Sequence, residues 1–467
     1  MEACKSVHKR PDRRDTICRT HSKGHESMIL WTAVAPLFYL SFSKYELWFF
    51  LPLSLYILSR LRFFWAWLLS GFFSFFFSLL WIRIALIDYG GVFPPIAFFL
   101  IALLSLTLTF IQFGLVYLLW KLFGFRLILL PFLWVLGELF RSTAPYGGFP
   151  WLLVGELLPL VPVLKYYLSA GGVYLGSLVV WLFSLIPYAF RNIRFALSLL
   201  VLLSLPLPFV RKDPPPPPEL RVAIIQPNVE ESIKLNEDLF YKYLPNYWEL
   251  IEEALKHEPH VVLLPESAFP FTVSELPTKG ERLLGYSKKA TLVTGIIDIR
   301  FEDGWKPYNS VFVIEDGAPT DFYDKVRLLP FGEYVPFPFG FVKSLFGAIG
   351  GIDYVPGKEA RCVKAGKVKL GTPICFEVSY SWLFGEFARC GDIIAVFTND
   401  GWFRDSDGTW QHFRQARVRA LENRKFVLWI NNTGPSAVIS PDGEILKKIP
   451  YGTKGYIIYE FKKSRFH

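Results

Sequence analysis

The distribution of apolar and polar positions divides the chain in two. Between Met28 and Val210 apolar and aromatic residues run almost unbroken, whereas from Leu220 onward short apolar runs alternate with charged and turn-forming residues. The first half resolves into seven apolar stretches: Met28–Ser41, Leu47–Leu58, Phe63–Ile82, Pro94–Trp120, Leu127–Phe140, Leu164–Tyr188 and Ile193–Val210. Crossing a hydrocarbon core takes about 20 helical residues, so the first, second and fifth must tilt as pairs or extend into their flanks. A polytopic α-helical membrane domain is therefore expected over residues 28–210.

In the second half, Leu220–Gln226, His260–Leu264, Thr291–Ile299, Ser310–Ile314, Lys367–Ile374, Ile393–Thr398, Phe426–Ile430, Ala437–Ser440 and Tyr456–Phe461 read as strands. Asn236–His257 and Trp410–Asn423 carry helical patterns. Strands dominate, and two sheets sandwiched by helices would bury both kinds of apolar face, so an α/β domain is expected over residues 220–467. Residues 211–219 join the two halves and include five consecutive prolines, Pro214 to Pro218. Such a run favours a stiff polyproline II spacer of about 3.1 Å per residue, which tethers the second domain close to lipid.

Charge refines this division. The net charge of +9 would suit nucleic acid, but much of the excess lies in residues 1–27 and at the ends of the apolar stretches. Basic residues there set membrane topology, and no nucleic-acid partner is expected. Connections carrying Arg60 with Arg62, Lys121 with Arg126, and Arg191 with Arg194 alternate with connections poorer in basic residues. The basic set and the basic tail are assigned to the cytoplasm, and an odd number of spans puts everything after Val210 in a periplasm-like compartment. No long apolar span follows Val210, so the second domain is expected to be anchored from one side only. The tail holds Cys4, His8, Cys18, His21 and His25 without a familiar four-ligand spacing, so it is expected to be disordered and no metal site is expected. An odd total of five cysteines implies no disulfide framework.

Candidate chemistry concentrates where apolar runs end. LGTPICFEVSY, Leu370 to Tyr380, delivers Cys375 at an expected strand end with Glu377 two residues later. A thiol on such a bend is either a displayed nucleophile or a small core residue. LPESAFP places Glu266 directly after another apolar run, and YDKVRLLPFGEYVP carries Lys325 and Glu333. A glutamate can take the thiol's proton, while a lysine can stabilise first the thiolate and then the oxyanion. In the membrane half, Glu138 and Arg141 are spaced to share a helix face before the loop GGFPW, either as a capping ion pair or as part of a binding feature. A phosphate-binding loop is excluded at Gly351 to Lys358, where the glycines are spaced one residue too far apart and Glu359 replaces the required Ser or Thr. No cofactor is expected.

Glu266, Lys325 and Cys375, with these flanks, resemble the Glu-Lys-Cys triad of the nitrilase, or carbon–nitrogen hydrolase, superfamily. The polytopic first half, GFPW between spans, PFGEYVP, the C-F-E run, TNDGWF (Thr398 to Phe403) and WQHFRQARVRALENRK (Trp410 to Lys425) resemble, within that superfamily, the bacterial apolipoprotein N-acyltransferases. The resemblance extends over nearly everything from Met28 onward. It implies a nitrilase-like αββα sandwich beside the membrane domain, and a multi-pass enzyme of the inner membrane with its catalytic domain on the periplasmic side. It further implies an acyl chain passing from a membrane phospholipid, through a thioester on Cys375, to the α-amino group of a diacylated apolipoprotein. Glu266 would be the base, and Lys325 with the backbone N–H of Phe376 would hold the oxyanion. Glu333 and Glu377 would be supporting acids or, read from the residues alone, structural ion-pair partners. Trp151, Asn399 and Trp402 are the substrate-binding candidates in the matching motifs.

The segment Pro336 to Gly351 is unusually apolar for a loop, and Phe341 and Phe346 are expected on an arm that admits acyl chains, with burial against the sandwich as the alternative. A monomer is expected. The sequence departs from the resembled pattern at Leu235, where an aromatic is expected, at Phe376, often Tyr, and in lacking a final membrane span. Two other functions fit parts of the chain: a membrane-anchored amidase, which leaves seven spans without a purpose, and a non-enzymatic lipid-binding or transport protein, which leaves the triad without one.

Overall fold

The computed structural model describes residues 30–210, 214–337, 340 and 353–462. The basic tail, and Phe341 and Phe346 of the expected arm, lie outside them.

Helices cover all seven apolar stretches, but most are short. Only Pro94–Leu122, with 29 residues, and Leu164–Ser184, with 21, are long and apolar enough to cross a bilayer by themselves, among the described residues. Leu30–Phe42, Phe50–Arg60, Phe64–Ser78 and Ile193–Phe209 are shorter apolar helices, and Leu130–Arg141 has 12 residues. The backbone explains one of these divisions: Leu61 and Phe63 are both extended, so the chain breaks between the second and third helices. Arg141 and Glu138 are buried and hydrogen-bond not to each other but to neighbouring helix residues and, respectively, to the GFPW loop and to the segment just after it. Arg141 donates to the carbonyls of Phe149 (2.8 Å) and Trp151 (2.7 Å), and Glu138 accepts from the backbone N–H of Val154 (2.9 Å) and from Trp134 (3.0 Å). The expected capping ion pair is therefore a clamp that folds the loop back onto its own helix.

The second half contains two six-stranded sheets. The first is built from β1 (Leu220–Gln226), β2 (Val261–Leu264), β3 (Thr291–Phe301), β4 (Trp305–Glu315), β5 (Ala318–Asp324) and β12 (Gly455–Phe461), in the order β12-β1-β2-β3-β4-β5. The second contains β6 (Cys362–Ala365), β7 (Val368–Gly371), β8 (Ile393–Phe397), β9 (Val427–Ile430), β10 (Ser436–Ile439) and β11 (Ile445–Ile449), in the order β11-β10-β9-β8-β7-β6. β1, β2 and β3 are parallel, as are β7, β8 and β9. Alternation along β1 distributes its side chains: Val222 and Ile224 join the core that includes the second sheet, while Ala223 and Ile225 lie under the helix Glu237–Leu255. That helix presents Phe240, Leu244, Tyr247, Trp248 and Ile251, one buried face at helical spacing.

Three strands were not expected from sequence, β5, β6 and β11, and each lies at the edge of a sheet. Edge strands need not be apolar, because much of their surface faces solvent; four of the five residues of β11 are exposed. A disulfide joins Cys362 on β6 to Cys390 at the end of the helix Ser381–Cys390. This corrects the expectation from cysteine number. The partners are 28 residues apart, and only the fold brings their Cα atoms to 5.9 Å.

The helix Asp407–Asn423 lies between the halves. Gln411, His412, Arg414, Gln415 and Arg419 on it are all buried, so it lacks the single apolar stripe of a surface helix. Gln411 accepts from the indoles of Trp81 (3.1 Å) and Trp151 (2.8 Å) and donates to the carbonyls of Phe42 (3.3 Å) and Ser78 (3.1 Å). One amide thus ties four parts of the helical half to this interface helix.

Candidate active site

The three triad candidates leave the ends of different strands: Glu266 follows β2, Lys325 follows β5, and Cys375 opens the tight turn Cys375–Ser379 after β7. Glu266 and Cys375 thus sit beyond the carboxyl ends of parallel strands, where open α/β sheets place their ligands. Gly295 makes the Glu266 turn possible. A Cβ there would lie 2.5 Å from the Cα of Glu266, so β3 can pass only as glycine.

Lys325 is buried and its ammonium lies 2.8 Å from Glu333 and 3.7 Å from Glu266. Asn309 on β4 donates one amide group to both carboxylates, at 2.8 Å each. Two acids therefore share one cation, and Glu333 holds it more closely. Burial raises the pKa of Glu266; Lys325 draws it down and the Glu333 charge pushes it up, leaving it above the usual carboxylate range. Burial works against the Lys325 cation, but Glu333 and Glu266 outweigh it and hold its pKa above the ordinary value. The arrangement provides one firmly charged lysine and one carboxylate poised to take a proton.

Cys375 keeps partial exposure. Burial of its surroundings pushes the thiol pKa well up, and Glu266 adds to this while Lys325 opposes it. The resting group is a thiol, so a base must act as it attacks. Its backbone has φ +50°, in the left-handed region, where an L-residue costs roughly 1–2 kcal/mol.

Glu377 helps hold that shape. One carboxylate oxygen accepts from Tyr323 (2.8 Å) and from the backbone of Val326 (2.8 Å) and Arg327 (2.9 Å), and the other accepts from the backbone of Ile374 (2.8 Å). It therefore ties the segment after Lys325 to the residue before Cys375, and does so through backbone N–H groups and a phenol, not by pairing with a lysine. Glu333 likewise accepts from the backbone of Leu329 (2.7 Å) in addition to its bond with Lys325.

The remaining candidates are spread more widely. Trp151 is buried, stacked between Phe376 (6.1 Å) and His412 (5.5 Å), so the helical half reaches the residue next to Cys375. Asn399 is buried, donates to Glu231 (2.8 Å) and accepts from Asn432 (3.0 Å). Trp402 meets Tyr89 of the helical half edge to face at 5.5 Å. Asn309, Tyr323, Asp400 and His412 were not anticipated. Asp400 and His412 lie inside motif stretches that carried the resemblance, whereas Asn309 is a buried polar residue within an apolar strand and gives no local signal. Among the described residues no cluster of His, Cys, Asp and Glu is arranged to hold a metal.

Both halves of the chain match known families. Residues 221–466 match the carbon–nitrogen hydrolase family, and residues 34–186 match the apolipoprotein N-acyltransferase N-terminal domain. The chain is 46% identical to the apolipoprotein N-acyltransferase of Aquifex aeolicus, over 94% of this chain and 99% of that one. It is 30% identical to that of Haemophilus ducreyi, over 83% and 80%. Among solved structures, an amidase from Nesterenkonia sp. aligns with 18% identity and a TM-score of 0.40, over 53% of this chain and 92% of that one.

Proposed function

The chain belongs to the apolipoprotein N-acyltransferase family, and from that premise we propose how its residues divide the work. The enzyme is an acyltransferase that N-acylates lipoproteins. Its donor is a membrane phospholipid. In the first half-reaction the Cys375 sulfur attacks the ester carbonyl, Glu266 takes the thiol proton and passes it to the departing glycerol oxygen, and a lysophospholipid leaves. Lys325 and the backbone N–H of Phe376 stabilise the oxyanion. In the second, the α-amino group of the diacylglyceryl-cysteine attacks the thioester, Glu266 takes the amine's proton, and as the C–S bond breaks Glu266 passes that proton to sulfur, which restores the thiol. The observation that carries this reading is the buried cluster itself: Lys325 lies 2.8 Å from Glu333 and 3.7 Å from Glu266, burial raises the pKa of Glu266, and burial likewise keeps the Cys375 thiol protonated.

In this reading residues 28–210 form a multi-pass inner-membrane domain, residues 211–219 the spacer, and residues 220–467 a periplasmic catalytic domain, while residues 1–27 are a cytoplasmic tail. Large apolar side chains face outward from the helices, among them Phe99 (65% exposed), Leu122 (77%) and Phe190 (87%), as a lipid-facing surface would. The basic connections gather at one end: the Arg62 guanidinium lies 4.3 Å from the Trp120 ring, and Ser59 meets Tyr188 at 3.1 Å. The alternate connections meet the catalytic half, through Lys44 with Asp405 (3.1 Å), Asp88 with Arg404 (2.8 Å) and Glu46 with Arg414 (3.3 Å). The Cys362–Cys390 disulfide suits an oxidising compartment. Trp151, Asn399 and Trp402 frame the substrate site, and the arm with Phe341 and Phe346 receives acyl chains. The enzyme acts as a monomer.

One thiol serving both half-reactions requires ping-pong kinetics. Double-reciprocal plots of rate against phospholipid at several fixed concentrations of a diacylated peptide should be parallel; intersecting lines would mean a ternary complex and would exclude the thioester route.

A further inference from the structure

Behind the nucleophile lies a histidine that the mechanism above does not use. His412, fully buried on the interface helix, places Nε2 3.2 Å from the carbonyl oxygen of Cys375 and Nδ1 2.8 Å from Asp400 Oδ1. A carbonyl oxygen only accepts, so Nε2 carries a hydrogen. The surroundings of Asp400 decide the other nitrogen. Asp400 Oδ2 accepts from Asn431 Nδ2 at 2.6 Å, and Oδ1 lies 3.2 Å from the Thr398 hydroxyl. The orientation of the Asn431 amide is fixed, because its oxygen accepts from the backbone N–H groups of Asp400 (3.0 Å) and Asn432 (2.8 Å). Asp400 is thus placed among donors, and one hydrogen lies between its Oδ1 and Nδ1 of His412.

We propose that His412 is a buried, doubly protonated cation and a positioning residue for acyl transfer: it holds the Cys375 carbonyl and balances the Asp400 charge beneath the nucleophile. Two further observations fit a cation. The face of Trp151 stacks on the His412 ring at 5.5 Å and 28°, a π-face that attracts positive charge, and Trp429 packs against the ring in a T-shaped contact at 4.8 Å. The peptide groups on both sides of the left-handed Cys375 are held, the Ile374 carbonyl by the backbone N–H of Glu377 (3.1 Å) and the Cys375 carbonyl by His412. Through Trp151 the helical half braces the cation that steadies the thiol. Without that cation, the Asp400 carboxylate would face the developing thiolate unbalanced.

The proposal rests on Cys375 as the nucleophile only for its consequence in catalysis; the protonation of His412 is tested by itself. The full-length protein with ¹⁵N-labelled histidine, in detergent micelles at neutral pH, is compared with His412→Gln by NMR, so that one of the seven histidines is assigned by difference. The expected signal has hydrogens on both ring nitrogens and a single protonated nitrogen overturns the proposal; the variant is first shown to be folded by circular dichroism, and His412→Asn replaces it for the assignment if it is not. In folded His412→Gln, alkylation of Cys375 by iodoacetamide, followed by peptide mapping, should slow by about tenfold or more, the effect of one pKa unit of lost thiolate stabilisation. An unchanged rate overturns the positioning role. Failure of wild-type Cys375 to take an acyl group from phospholipid would instead refute the proposed function and leave the NMR result intact.

Discussion

Glu266 must be deprotonated to act as a base, and its pKa is raised in the folded protein, so activity should fall as pH drops through a value above the usual carboxylate range. The Asn309 hydrogen bond is among the influences that pull this pKa down. Asn309→Ala should therefore move the acidic limb of kcat/KM further toward neutral pH; an unmoved limb would assign it to another group. Glu266→Gln should lower kcat by roughly 10²–10⁴, the usual contribution of a positioned general base. Cys375→Ser should fold and lack transfer activity, since a hydroxyl ionises far less readily than a thiol with a free pKa of about 8.5. Glu266 and Cys375 were legible in the sequence because each stands where an apolar run ends, and Lys325 because it lies in the stretch YDKVRLLPFGEYVP that carried the resemblance. Asn309 was not, because a polar residue buried in a strand is recognised only once its partners are in place.

The turn Cys375–Ser379 depends on Glu377, which accepts backbone hydrogen bonds from both sides of the site. Glu377→Gln preserves size but turns an amide donor toward at least one N–H. Hydrogen bonds to charged groups contribute about 1.5–3 kcal/mol each, so a loss of stability of that order is expected, with a fall in the rate of Cys375 acylation. Thermal unfolding and single-turnover acylation measure the two. A variant with wild-type values for both would mean the carboxylate charge is dispensable. Phe341→Ala combined with Phe346→Ala should slow acylation by phospholipid but not by a short water-soluble ester; equal losses would make these residues core packing. Strand patterning revealed the inner strands and the more apolar edge strand β12, and not the edge strands β5, β6 and β11, where one side of the pairing is free of a partner strand.

For the molecule as a whole, composition showed where one half ends and the next begins, but not how they meet. The interface helix carries Gln411, Arg414, Gln415 and Arg419, which in a sequence read as a solvated surface; their burial follows because Trp81, Trp151, Glu46 and Glu156 of the helical half pair with them together with the nucleophile turn. Topology is open to direct test: a membrane-impermeant thiol reagent added from the periplasmic side should label Glu219→Cys and not Asn192→Cys, and the reverse pattern would overturn the assigned orientation. The central claim is that one thiol carries the acyl chain between two lipids, and mass spectrometry of the intact protein tests it most directly. Incubated with phospholipid alone, the wild-type protein should gain one acyl chain, mapped to Cys375, and lose it on addition of a diacylated peptide that becomes N-acylated. Acyl transfer to the peptide without any acylated Cys375, or an acyl-enzyme discharged by water but not by the peptide amine, would contradict it.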